Sequence, residues 1–228
     1  MLLRGIVVVI KAVLFDLGGT LIKTVSVPIV CKRILARHGV HVQTTIDEIA
    51  SDGIFKEMSQ NYRMPYRKFW RIYNIKILKM LKLRVNLEEL ADVITDEWWD
   101  NADCELNPEV KDTLLTLRKQ GLKLGIVSNG FRKDIDEILS KVGLTDQFDV
   151  TVGVDDVGMS KPEKKMFLYA LEKLAVAPNE ALFVGDNLEA DYKGAEEAGL
   201  KPLLIDRDDK VCGNFRKIRN LKEVAQFL

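Results

Sequence analysis

An apolar run that ends abruptly in an acid sets the strongest limit on the architecture of this chain. The run extends from Ile6 to Phe15 and is followed by Asp16 and then, after Leu17, by two glycines. Its length and β-branched content predict a strand buried on both faces, as in parallel sheets. The glycines break the pattern just past the carboxyl end of the strand, where open parallel sheets bind ligands. A carboxylate there suits a metal ion or a covalent phosphoryl intermediate, although Asp16 taken alone is equally compatible with a turn.

Strands and helices are predicted to alternate from Pro108 onward. The predicted strands are Leu122 to Val127, Phe148 to Val154, Ala181 to Val184 and Lys201 to Ile205, with helical segments between them. This alternation is typical of a parallel, doubly wound sheet. We therefore predict an α/β fold with a Rossmann-like core.

The stretch between the first strand and this alternation has a helical pattern throughout. Helices are predicted at Pro28 to His38, Thr45 to Gln60, Pro65 to Leu83, and from the cap residue Asn86 to about Trp98. We interpret the block as an all-helical cap domain at 25–102, inserted into a core domain formed by 1–24 and 103–228. Its third helix has an aromatic face and a basic face; this segregation favours a packed helix with a solvated side over a nucleic-acid site.

Composition excludes a strong global charge. The 228 residues are 47% hydrophobic, and 34 basic residues balance 34 acidic ones, so no overall field favours a nucleic-acid or membrane partner. No apolar run reaches transmembrane length, and three widely spaced cysteines without metal-ligand spacing fit a reducing compartment. We expect a cytoplasmic protein that is a monomer or a homodimer.

Polar residues suited to a phosphate ester follow several of the predicted strands. Ser128-Asn129-Gly130 precedes a helix, whose N-terminus could hold an anion. Lys161 offers a point positive charge, and Asp186 and Asp191 suit a divalent ion bound through oxygen. Each alone also fits a plainer interpretation as a turn, a solvated lysine or a surface acid. Their shared position at one edge of the sheet favours a single site.

Four segments resemble the motifs of the haloacid dehalogenase-like hydrolases. They are Phe15-Asp-Leu-Gly-Gly-Thr-Leu21, Val127-Ser-Asn-Gly130, Ser160-Lys-Pro162 and Val184-Gly-Asp-Asn-Leu-Glu-Ala-Asp191. The match spans about Ala12 to Asp206, and the helical insertion resembles the subgroup with an α-helical cap. The resemblance implies Mg²⁺-dependent hydrolysis of a small phosphorylated metabolite.

The resemblance also implies roles for the matched residues. Asp16 is the expected nucleophile and forms an aspartyl-phosphate, while Lys161 assists as the second catalytic residue. The implied Mg²⁺ ligands are the carboxylate of Asp16, the backbone carbonyl of Gly18, Asp186 and, directly or behind the others, Asp191. The implied phosphate-binding residues are Thr20, which orients the first loop, Ser128, Asn129 and Lys161.

Gly18 departs from the pattern of the phosphatases in this family. They usually carry a second acid there, which protonates the leaving oxygen and later activates water; losing such a group costs about 10²–10⁴-fold in rate. A good leaving group, such as an acyl phosphate or an anomeric sugar phosphate, is one explanation. A proton donor from the cap is another, with His38, His41, Tyr62 and Tyr66 as candidates. Slow or absent catalysis is a third.

Two alternative functions follow from the same glycine. A 2-haloacid dehalogenase acts without metal and also lacks the second acid, and a non-catalytic phosphate-binding protein does not need one. The intact Gly185-Asp186 pair, with Asp191 behind it, favours the metal-dependent phosphatase.

Overall fold

A six-stranded sheet forms the centre of the computed structural model, which describes residues 9–42, 51–81, 83 and 86–228. The strands are β1 (Ala12–Phe15), β2 (Ile22–Lys23), β3 (Glu105–Leu106), β4 (Lys123–Val127), β5 (Val150–Val152), β6 (Ala181–Gly185), β7 (Lys201–Ile205) and β8 (Lys217–Ile218). The large sheet has the order β5-β4-β1-β6-β7-β8, and all of its pairings are parallel. The predicted α/β fold with a Rossmann-like sheet is confirmed.

Helices cover the sheet and fill the insertion. They are α1 (Val27–Arg37), α2 (Ser51–Met58), α3 (Tyr66–Met80), α4 (Leu87–Asn101), α5 (Val110–Lys119), α6 (Arg132–Val142), α7 (Val154–Val157), α8 (Lys164–Leu174) and α9 (Gly194–Glu197). Short 3₁₀ segments lie at Ser59–Asn61, Pro178–Glu180 and Leu221–Phe227, and a π-helical turn at Leu188–Lys193. None of the described helices combines the length and apolar character that crossing a membrane requires.

Strand β1 lies between β4 and β6 and is buried on both faces. Ala12 and Leu14 belong to one hydrophobic core, which also contains residues of α8. Val13 and Phe15 belong to the core on the opposite face, with residues of α5 and α6. Successive side chains of a strand point to opposite faces, so an uninterrupted apolar run satisfies both cores. Residues 1–8 lie outside the described part of the chain. Within it the prediction is confirmed for Ala12–Phe15, whereas residues 9–11 precede the strand and Val9 is exposed.

Helices α1, α3 and α4 share a hydrophobic core of their own. It consists of Val30, Ile34, Leu35, Leu78, Leu90, Ala91, Ile94 and Ala102. The antiparallel pair of β2 and β3 joins the two ends of the helical block, and Asn86 caps α4 by accepting a hydrogen bond from the Glu89 N–H. The predicted start of the second helix at Thr45 falls outside the described residues, and the exact division into domains at 25–102 stays a prediction.

The basic face of α3 is largely paired with acids. Arg67 bonds Asp96 through both of its terminal nitrogens, at 2.8 and 2.7 Å. Arg71 pairs with Asp92, and Lys76 with Glu57 at 2.7 Å. Because these acids lie on α4 and α2, much of the positive charge is used within the helical block.

Two further predicted elements differ from the structure. The strand predicted at Phe148 to Val154 is confined to β5, because Gly153 turns the chain directly into α7. The helix after Asp186 starts as a π-helical turn, with the side chain of Asn187 accepting from the N–H groups of Glu189 and Ala190. Both differences lie in loops at the carboxyl edge of the sheet and bring polar groups to it.

Candidate active site

The first two acids of the site follow neighbouring strands. Asp16 comes directly after β1 and Asp186 directly after β6, and these strands are paired along their whole shared length. From β1 the chain proceeds to β4 and β5 on one side and then returns to β6 on the other. Such a reversal in strand order leaves a crevice at the carboxyl ends of the strands, where ligands bind.

Lys161 connects two of the acids. Its Nζ lies 2.6 Å from Asp16 Oδ1 and 2.6 Å from Asp191 Oδ1, and all three side chains are buried. Asn129 fixes the backbone of Lys161: its Oδ1 accepts from the Lys161 N–H at 2.7 Å, and its Nδ2 donates to the Lys161 carbonyl at 3.3 Å. The lysine is therefore held at both its main chain and its side chain.

Three carboxylates converge beside this lysine. Oxygen atoms of Asp16, Asp186 and Asp191 all lie within 4.8 Å of one another. Burial raises the pKa of Asp16 to about 7; the Lys161 ammonium opposes this shift, and the Asp191 and Asp186 carboxylates reinforce it. Burial and the charge of Asp191 also raise the pKa of Asp186. With all three carboxylates ionised, one ammonium would leave two negative charges uncompensated, and a divalent cation bound through oxygen fits such a cluster.

Two glycines allow the carboxylates to come this close. A Cβ on Gly19 would collide with the Asp186 carboxylate, and the φ of +78° at Gly19 is itself unfavourable for a side chain. A Cβ on Gly185 would collide with Asp191. Gly18 is different, because a Cβ there would meet nothing within 4 Å. The absence of a side chain at this position is therefore not a steric requirement.

The first loop is supported from behind by residues far away in sequence. The fully buried Thr20 donates from Oγ1 to Asp186 Oδ1 at 3.3 Å. Its carbonyl accepts from Asn107 Nδ2 and from Arg207 Nη2, both at 3.0 Å. Arg207 in turn pairs through Nη1 with the buried Glu109 at 2.5 Å. Sequence reasoning missed Asn107, Glu109 and Arg207, for which no local pattern gives a signal.

A cavity of about 830 Å³ adjoins these strand ends. Gly18, Ser128 and Asn129 contribute to its wall from the sheet side, and α3 and α4 contribute aromatic side chains. Ser128 is held in a turn, where its Oγ accepts from the Gly130 N–H at 3.2 Å. Of the residues predicted to bind phosphate, Ser128 and Asn129 line this cavity, whereas Thr20 and Lys161 are not part of its described wall.

Asp134 fastens the helical block to the core across this cavity. This buried residue of α6 accepts from Tyr66 Oη at 2.6 Å and from Trp99 Nε1 at 2.8 Å, both through Oδ1. Burial raises the pKa of Asp134, and the hydrogen bonds partly offset that effect. Sequence reasoning did not identify Asp134, because its importance comes from two partners on other helices.

The four cap residues considered as proton donors are divided by the structure. Tyr62 and Tyr66 line the cavity. Neither His38 nor His41 is part of its described wall. His38 Nε2 instead lies 2.8 Å from Glu97 Oε1 at the surface. Of the four, the tyrosines are therefore the ones near the site.

Comparison with known proteins assigns the chain to one enzyme family. The sequence model of the haloacid dehalogenase-like hydrolases matches residues 10–199. A glyceraldehyde 3-phosphate phosphatase of Methanopyrus kandleri is 28% identical over 198 residues, covering 87% of this chain and 84% of that protein.

Solved structures resemble the chain over nearly its full length. A haloacid dehalogenase-like phosphatase from Thermococcus onnurineus is 30% identical with a TM-score of 0.64, and the match covers 96% of this chain and 97% of that one. A 2-haloacid dehalogenase from Pseudomonas syringae superposes with a TM-score of 0.72 over 95% and 97% of the two chains. At 24% identity this second likeness concerns the fold alone. The resemblance predicted from the four motifs is confirmed.

Proposed function

Since the chain belongs to the haloacid dehalogenase-like hydrolases, we propose that it is a phosphatase that hydrolyses a small phosphate monoester with Asp16 as the nucleophile. The observation that carries this proposal is the buried ion-paired group of Asp16, Lys161 and Asp191 at the carboxyl edge of β1. A carboxylate is a competent nucleophile toward phosphorus when it is positioned and kept ionised. The Lys161 ammonium, at 2.6 Å, favours the ionised form.

We propose Mg²⁺ as the cofactor. Its ligands would be the carboxylates of Asp16 and Asp186 and the backbone carbonyl of Gly18, with Asp191 as a further ligand or as an acid behind them. The two uncompensated negative charges of the acid cluster are the reason that a divalent ion fits here. When bound, the ion supplies positive charge that balances the phosphoryl oxygens and the carboxylates.

The reaction proceeds in two displacements at phosphorus. A carboxylate oxygen of Asp16 forms a bond to phosphorus while the bond to the leaving oxygen breaks, and the electron pair departs with that oxygen. Ser128 and Lys161 donate hydrogen bonds to the phosphoryl oxygens, whose charge must be balanced as the group is transferred. Water then attacks the phosphorus of the aspartyl-phosphate, which releases inorganic phosphate and a proton and restores the Asp16 carboxylate.

Further residues hold Asp186 and Lys161 in position. Thr20 orients Asp186 and is itself held by Asn107 and Arg207. Asn129 acts through the backbone of Lys161, in addition to its proposed place in phosphate binding. The helical segment 25–102 acts as the cap that excludes water and selects the substrate.

A metal-independent dehalogenase is the alternative that Gly18 suggests. It leaves Asp186 and Asp191 without enough counter-charge, because one ammonium faces three carboxylates. The acid cluster therefore favours the metal-dependent phosphatase.

The test is hydrolysis of p-nitrophenyl phosphate with Mg²⁺ and with EDTA, in the wild type and in Asp16→Asn. We expect activity only in the wild type with Mg²⁺, and phosphate covalently bound to the wild type in a rapid acid quench. Asp16→Asn keeps the shape of the side chain, so its thermal melting serves as the control for folding. Activity that survives in Asp16→Asn or in EDTA contradicts the mechanism, and halide release from 2-chloropropionate without metal supports the dehalogenase.

A further inference from the structure

The cavity beside the proposed active site has an aromatic wall. Its members come from the helical segment and are Tyr62, Tyr66, Trp70, Tyr73, Trp98 and Trp99. Aliphatic side chains, among them Leu17 and Ile135, close the wall on the sheet side. At about 830 Å³ the cavity is far larger than a triose or a two-carbon acid requires.

Several of these rings are fixed by contact with one another. Tyr66 and Trp70 meet edge to face with centroids 6.5 Å apart, and Trp70 and Tyr73 do so at 5.3 Å. Trp70 also packs against Phe131, which precedes α6, at 5.9 Å. Interlocked rings of this kind form a rigid surface, and such surfaces bind flat apolar groups through further edge and face contacts.

The lining of the cavity as a whole offers little to an anion. Among its described residues, Lys56 on α2 is the one cationic side chain, and it is exposed. The acid in the lining, Asp134, accepts hydrogen bonds from Tyr66 and Trp99. A carboxylated leaving group would lose its hydration on entering and find no buried cation among the described lining residues, which is unfavourable.

Gly18 adds an independent constraint on the leaving group. The first loop carries no acid there, so the leaving oxygen departs without a proton from that position. A phenol has a pKa of about 10, so its oxygen leaves as the anion far more readily than the oxygen of an alcohol. The aromatic wall and Gly18 thus both favour a phenolic leaving group.

We propose that the substrate class is the neutral aryl phosphates, with the aryl group in the aromatic-walled cavity and the phosphoryl group at Asp16. This inference rests on the proposed phosphatase function and specifies its substrate. The bond between phosphorus and the aryl oxygen breaks, its electron pair leaves with the aryl oxide, and the oxide takes a proton from water. Asp16 receives the phosphoryl group.

The experiment compares kcat/KM of the Mg²⁺-loaded protein across a matched panel. 3-Carbamoylphenyl and 3-carboxyphenyl phosphate differ mainly in charge, cyclohexylmethyl phosphate is an apolar alkyl ester, and acetyl phosphate is small with a good leaving group. We expect the neutral aryl ester to exceed the carboxylated one by about tenfold or more, equivalent to about 1.4 kcal/mol, and the alkyl ester by a larger factor. Equal rates for neutral and carboxylated aryl esters, or for aryl and alkyl esters, overturn the inference.

Two variants test whether the aromatic wall, rather than a general loss of activity or structure, determines the preference for aryl esters. Trp98→Leu is expected to lower the ratio of aryl to acetyl phosphate kcat/KM by about tenfold, because it removes a ring from the wall. Tyr169→Leu is the matched control, since Tyr169 is half-buried on α8 outside this wall, and the ratio should stay unchanged. An unchanged ratio in folded Trp98→Leu contradicts the inference, whereas silence of the wild type on the whole panel, acetyl phosphate included, contradicts the proposed function itself.

Discussion

Replacing Gly18 by aspartate should give the first loop the acid that is absent from this position. A Cβ on Gly18 meets nothing within 4 Å, the residue is exposed, and it lines the cavity that receives the leaving group. The new carboxyl would occupy the position of the first loop at which phosphatases of this family usually carry their second acid, beside the cavity. From there it can donate its proton to the leaving oxygen, as general-acid catalysis requires.

The size of the gain depends on the leaving group. A positioned general acid contributes about 10²–10⁴-fold in rate, or roughly 3–5 kcal/mol of barrier. We expect a gain approaching that range for glycerol 1-phosphate, because its alkoxide cannot leave readily without a proton. For p-nitrophenyl phosphate the gain should be small, since its oxygen leaves easily as the anion.

The assay measures kcat/KM for both esters in the wild type, Gly18→Asp and Gly18→Asn, with saturating Mg²⁺. Gly18→Asn has nearly the same shape and no acidic proton, so it should gain nothing. Gly19→Asp is a steric contrast: its side chain would collide with Asp186 and needs a φ of +78°, so activity should be lost. Equal gains in Gly18→Asp and Gly18→Asn, or equal gains on both esters, would refute the reasoning.

Three further predictions concern stability. Lys161→Met leaves Asp16 without its buried partner and should lower the free energy of unfolding by about 3–5 kcal/mol in urea titrations without metal; an unchanged value would contradict the buried ion pair. Asp134→Ala removes the acceptor of two hydrogen bonds and should cost about 1–3 kcal/mol per orphaned donor, whereas Asp134→Asn keeps an acceptor and should cost clearly less; equal losses would refute the role of the acceptor. Burial raises the pKa of Glu109, but Arg207 and backbone N–H groups outweigh this and lower it below 4.5. The stabilisation that Glu109 contributes is therefore present above its pKa in the unfolded chain and is lost as the pH falls through its lower pKa in the folded protein. Arg207→Gln should make the free energy of unfolding less dependent on pH in this acid range, and an unaltered dependence would argue against the Glu109–Arg207 pair.

Local sequence patterns predict the parts of this fold that are determined by neighbouring residues. An apolar run such as β1 can be stable only if both of its faces are covered, and both are. The cap at Asn86 depends on Glu89, three residues away, and was therefore predictable. The acids after β1 and β6 converge because parallel strands present their carboxyl ends at one edge.

The remaining features depend on contacts between distant segments. Thr20 was predictable as part of the first loop, but its carbonyl is held by Asn107 and Arg207, which no spacing connects with it. Strand β8 has two residues, too few for a period to be recognised. Asp134 looks like an ordinary acid in the first turn of a helix, which the helix dipole favours. Its burial becomes evident only once α3 and α4 are packed over α6.

Asp134 links substrate selection to the attachment of the helical segment. Its two donors, Tyr66 and Trp99, belong to the aromatic wall, and Asp134 itself lines the same cavity. The wall therefore cannot retreat from the core without breaking two part-buried hydrogen bonds, and the buried Asp134 would lose both donors. The group proposed for phosphoryl transfer is a separate ion-paired one around Lys161, which contacts Asp16 and Asp191. Because the two groups share no hydrogen bond among those described, changes in the wall can alter which leaving group is accepted while the groups that act on phosphorus keep their geometry.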